Sequence, residues 1–126
     1  MSDLTFETLN DALVEAFPEL KENYQKELEW RHHDDPGAHN IYGDVFVPYV
    51  VDALGKPEDN QELLVRAFAL LERLAAHKDE HVQEVAGATV IEALLSARKV
   101  SAEAKRRMGP ESLKIANDIE NWRPSG

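Results

Sequence analysis

Apolar side chains recur along most of this chain at steps of three and four, the spacing that gathers them on one face of an α-helix. Phe6, Leu9, Leu13 and Phe17 form the first such stripe. They predict a helix from about Thr5 to Phe17, with Thr5 or Asp3 as its cap. Pro18 breaks that helix and opens a second, because proline suits a first helical turn. Leu20, Tyr24 and Leu28 form the inner face of the second helix, and Trp30 ends it. A polar, irregular segment from Arg31 to Asn40 follows, marked by Pro36-Gly37 as a turn. Phe46, Val47, Val50 and Leu54 predict a third helix near Asp44 to Leu54. Asp44 is its expected N-cap, which leaves Pro48 in the first turn; Gly55 and Pro57 are stop signals.

The second half is patterned more regularly. Asp59-Asn60-Gln61-Glu62 has the spacing of a capping box ahead of a helix over about Asn60 to His77. The wide stripe of that helix, from Leu63 and Leu64 through Phe68 to Leu74, suits packing on two neighbours. Asp79 caps a helix from about Glu80 to Ala97. Ser101 starts a short helix ending at Met108-Gly109, and Pro110 opens a last one with Leu113, Ala116, Ile119 and Trp122 inward. Residues 123–126 are expected to fray. Only Val45 to Val51 competes as a strand, and Pro48 argues against a central one. The expected fold is all-α: a single domain over residues 1–126 with six or seven antiparallel helices. The Asp, Val and Ala spacing after the Lys78 turn suggests a HEAT-like hairpin in the C-terminal half, without the fixed period of a solenoid.

Composition narrows the chemistry. A chain of 126 residues that is 43% hydrophobic supports one core. The absence of cysteine excludes disulfides, thiolate metal sites and a cysteine nucleophile. Nothing resembles a spanning helix or a signal peptide, so the expected location is the cytoplasm, with no membrane partner. The net charge of −10 argues against nucleic acid as a partner. The charge is unevenly placed. Residues 1–63 hold 15 acidic and 4 basic side chains, a net −11, and residues 64–126 hold 9 acidic and 10 basic, a net +1. Such a bias can steer a basic partner to the N-terminal half, although net charge also serves solubility.

Catalytic signatures are missing: there is no nucleophile elbow, phosphate loop or dinucleotide fingerprint, and no cofactor is expected. His32, His33, Asp34, Asp35 and His39 are types that ligate metals, but their spacing matches no regular site, and a solvated loop is the preferred reading. His77 and His81 belong to different helices; His77 is expected to complement a helix C-terminus. The basic group Arg98, Lys99, Lys105, Arg106 and Arg107 reads as a solvated helix end. The more informative group surrounds the long loop. Trp30 and Tyr42 are candidate aromatic anchors of an interface, Asp34, Asp35 and Asp44 supply charge for a partner's Arg or Lys, and His39 is a further candidate contact on the loop.

Four segments carry a resemblance: Glu15-Ala16-Phe17-Pro18-Glu19-Leu20, Ile41-Tyr42-Gly43-Asp44-Val45-Phe46-Val47-Pro48, the stretch from Glu62 to Glu72, and the stretch from Asp79 to Val85. Together they resemble a family of small acidic all-helical bacterial proteins of immunity-protein type, associated with polymorphic toxins. The resemblance covers about Phe6 to Trp122. It implies a non-catalytic cytoplasmic inhibitor of one cognate toxin domain, with Tyr42-Gly43-Asp44 and the preceding loop at the surface site. Two other readings stand beside it: a HEAT-like adaptor that docks a peptide in a helical groove, and a small metal-dependent enzyme using His32, His33 and His39.

Overall fold

The computed structural model describes residues 4–30 and 37–122, with the backbone alone for Trp30 and Trp122. Among the described residues every regular element is helical, and the architecture is all-α. A 3₁₀ turn, Phe6–Thr8, leads into α1, Leu9–Ala16. Thr5 and Thr8 close that turn reciprocally, and the Thr5 N–H donates to Thr8 Oγ1 at 2.9 Å. Pro18–Leu20 forms a second 3₁₀ turn and launches α2, Lys21–Trp30.

The third helix, α3, starts six residues earlier than the apolar pattern predicts. It runs as one rod from Ala38–Ile41 through a π-helical turn, Tyr42–Phe46, into Val47–Leu54. Gly37, not Asp44, is its N-cap. Asp44 therefore lies inside the helix, and Pro48 is an interior proline. The π turn makes this tolerable. The Val47 N–H reaches back five residues to Tyr42 O, so the backbone is already widened where the proline ring would otherwise crowd the preceding turn.

Helix α4, Gln61–Ala75, is the central element and packs against α1 and α3 on one side. Its N-cap is Asn60, whose side chain turns back to donate to Lys56 O at 2.9 Å. The expected Asp59–Glu62 capping box is absent, because Asp59 ends a 3₁₀ turn, Pro57–Asp59, upstream of the helix. Helix α5 runs from Glu80–Glu84 through a second π turn, Val85–Ile91, into Glu92–Ser96. Asp79 caps it as expected, accepting from the His81 N–H at 2.9 Å. Two further helices, α6 (Ser101–Arg107) and α7 (Pro110–Trp122), close the fold, and α7 lies against both α4 and α5.

The buried side chains form one cluster from Leu9 to Ala116, with Phe17, Tyr42, Phe46, Leu64, Leu71 and Ile91 among its largest fully buried members. The two π turns pack against each other and supply buried residues to it. A Cβ on Gly43 would stand 3.3 Å from Thr89 Cγ2, and one on Gly87 would stand 3.1 Å from Ile115 Cγ2, so both glycines permit close helix approach.

Candidate protein-binding surface

Of the expected interface residues, Asp34 and Asp35 lie outside the described residues, as do His32 and His33 and the side chain of Trp30. The described ones separate. His39 is exposed on the first turn of α3, where its Nδ1 is 2.5 Å from Thr89 Oγ1 and its ring centroid 6.4 Å from that of Phe6. Asp44 is exposed one turn along from Asn40 on the same rod. Tyr42 corrects the expectation of a surface anchor. It is 0% exposed, packs edge-on to Phe46 with centroids 5.6 Å apart, and donates its hydroxyl to Leu9 O at 2.7 Å. Burial pushes the pKa of this phenol above its usual value. Tyr42 thus ties α1 to α3 from the inside.

His77 differs from expectation in its role. The Asp79 N–H donates to Nδ1 at 2.9 Å, so Nε2 carries the proton and donates to Leu4 O at 2.7 Å. The ring ties the start of the chain to the α4–α5 turn instead of offering a positive charge to a helix end. Among the described residues no group of three His, Asp or Glu side chains is placed to hold a metal ion.

The acidic side chains fall into two sets. In the first, carboxylates are built into the scaffold. Glu72 of α4 accepts from the Glu111 N–H, the Ser112 N–H and the Ser112 hydroxyl at 2.9, 2.9 and 2.8 Å, and so caps α7 from a neighbouring helix. Burial pulls the Glu72 pKa up, but these hydrogen bonds outweigh it and hold the carboxyl below its ordinary value. A Cβ on Gly109 would lie 2.6 Å from Glu72 Cδ, so glycine is what lets this carboxylate reach its donors. Glu103 pairs with Arg106 and Arg107, and Lys105 with Glu120 at 2.6 Å. Three members of the basic group thus have carboxylate partners.

Glu19 belongs to the same set. It accepts from the Tyr49 hydroxyl at 2.8 Å and from Arg66 Nη2 at 3.2 Å. Arg66 also donates to Ala16 O at the end of α1, at 2.9 Å, and lies 4.8 Å over the Phe17 ring. Burial raises the Glu19 pKa, but its hydrogen bonds and the Arg66 charge outweigh that and hold it below its ordinary value. Burial, with Glu19 adding to it, pushes the Tyr49 hydroxyl up to about 12.

The second set faces solvent. Glu7, Asp11 and Glu15 recur at steps of four along the outer side of α1 and its leading turn, opposite buried Leu9 and Leu13. Among the described residues they make no ion pair. The sequence pattern held this row as the polar complement of the Leu9–Leu13 stripe, but it was hidden behind the aromatic loop as a candidate surface. Beside the row, α1 and α2 enclose an open groove of about 370 Å³, with Val14, Tyr24 and Leu28 as apolar lining and Asp11 and Glu15 on the α1 wall.

The chain belongs to DUF7674, a domain family of unknown function, whose model matches residues 10–123. No curated protein and no solved structure gives a significant match.

Proposed function

We propose that this DUF7674 chain is a non-catalytic protein-binding domain that docks a basic partner on its acidic N-terminal half, and that the partner is a toxin domain which it neutralises as an immunity protein. The observation that carries the docking reading is the row Glu7, Asp11 and Glu15. These carboxylates are exposed and make no ion pair among the described residues, whereas Glu19, Glu72 and Glu103 are bonded into the scaffold. Exposed charges of one sign raise the encounter rate with a basic surface and disfavour acidic competitors. The toxin identity of the partner rests on the resemblance of the four sequence segments described above. In this reading the partner is bound in the cytoplasm, and no cofactor takes part.

Co-expression with a basic toxin domain encoded beside this gene tests the proposal. The expected result is rescue of growth and a complex that weakens steeply as salt rises. Absence of both binding and protection would remove the toxin reading. Binding that ignores salt would instead favour an adaptor that docks its partner through apolar contacts.

A further inference from the structure

The groove between α1 and α2 has a property that solvated helix pairs do not need. Val14 and Leu28 are half-buried, yet neither is among the side chains packed against the core. They line the groove together with half-buried Tyr24. Its volume, about 370 Å³, falls in the roughly 300–1,000 Å³ range of ligand pockets. Helix α2 packs on the Pro18–Leu20 turn that launches it and reaches the core through Tyr24, and Leu28 faces the groove beside that ring.

The surrounding charge defines what would cover that strip. Residues 4–30 carry seven carboxylates and two lysines, a net −5. Asp11 and Glu15 stand on one wall, and Lys21 is the cation among the lining residues. Both walls are helices whose backbone groups are bonded internally, so they offer no edge to pair with an extended strand. An occupant must satisfy its own backbone and present apolar side chains flanked by positive charge.

We infer that the α1–α2 groove binds a basic amphipathic helix of the partner protein, with apolar residues at steps of three and four seated on Val14, Tyr24 and Leu28 and Lys or Arg side chains paired with Asp11 and Glu15. This rests on the docking reading above and names the segment of the partner that makes the contact.

The test is calorimetric titration of the full chain with three synthetic peptides of equal length: a Leu/Lys amphipathic helix, the same helix with Glu for Lys, and a scrambled Leu/Lys sequence. The amphipathic basic helix should bind at least ten times more tightly than either control. Asp11→Lys with Glu15→Lys should weaken it at least tenfold, and Leu28→Ser or Val14→Ser should do the same with helix content unchanged by circular dichroism. Equal binding of the scrambled peptide, or indifference to both serine variants, would overturn the inference. If those variants leave binding of a co-expressed basic toxin intact, the groove assignment falls while the docking reading stands. If the peptide pattern holds but no toxin is bound or neutralised, the groove stands and the toxin reading falls.

Discussion

Glu72 on α4 and Asp11 on α1 are both carboxylates on amphipathic helices, and the fold treats them in opposite ways. Glu72 gathers two amide N–H groups and a hydroxyl from the start of α7. Asp11 faces water in a row with Glu7 and Glu15. The same division runs through the molecule: Glu103 and Glu120 have basic partners in the C-terminal half, and Glu19 is held by Arg66, a residue supplied by that half. The near-neutral half bonds Glu72, Glu103 and Glu120 to groups of its own, while Glu7, Asp11 and Glu15 of the N-terminal half are turned outward. Net charge by segment therefore does not tell bonded carboxylates from those that remain available to a partner.

Four experiments break or sharpen that contrast. The largest effect is expected inside the N-terminal half, where α3 meets α1. Tyr42→Ala removes a fully buried ring and the hydroxyl bond to Leu9 O, and should cost about 3–5 kcal/mol in denaturant unfolding; Tyr42→Phe should cost about 1 kcal/mol. Glu72→Ala leaves the α7 donors without their carboxylate and should cost about 1–3 kcal/mol. Gly109→Ala should act in the same direction by forcing that carboxylate away.

Acid titration gives the third. The depressed carboxyls of Glu72 and Glu19 contribute stability that is present above the ordinary carboxylate pKa of 4.5 and is lost as pH falls through their folded values. Thermal unfolding below pH 4.5 should therefore be shallower in pH for Glu72→Gln than for the parent chain. The smallest effect belongs to the exposed row. Glu7→Gln, Asp11→Asn and Glu15→Gln should each change stability by no more than about 0.5 kcal/mol. A loss as large as that of Glu72→Ala would show that the row is structural.

Helix termini set by a local signal were legible before the structure. Asp79, Ser101 and Pro110 each mark an observed boundary, because a cap or an N-terminal proline acts within one turn. Features set by distant partners were not. Asp44 resembles a cap, but the rod continues through it because the π turn at Tyr42–Phe46 accommodates Pro48. Asp59 has capping-box spacing, but the 3₁₀ turn uses it upstream. Tyr42 sits in a polar neighbourhood that suggests exposure, and its burial depends on Leu9, 33 positions away. For the candidate surface, the half-chain charge directs attention to the N-terminal half, where the exposed row lies, while the groove requires knowing how α1 and α2 are set against each other.

The bond from His77 to Leu4 has a practical corollary for where the folding unit begins. The family match starts at residue 10, yet Leu4 is clasped by the α4–α5 turn, and the Phe6 ring lies against His81 at 5.7 Å between centroids. A fragment cut at the family boundary would forfeit that clasp, the Thr5–Thr8 closure and the Leu9 carbonyl that receives the Tyr42 hydroxyl. Residues 4–9, ahead of the recognised domain, are thus part of its architecture, and a recombinant version should retain them.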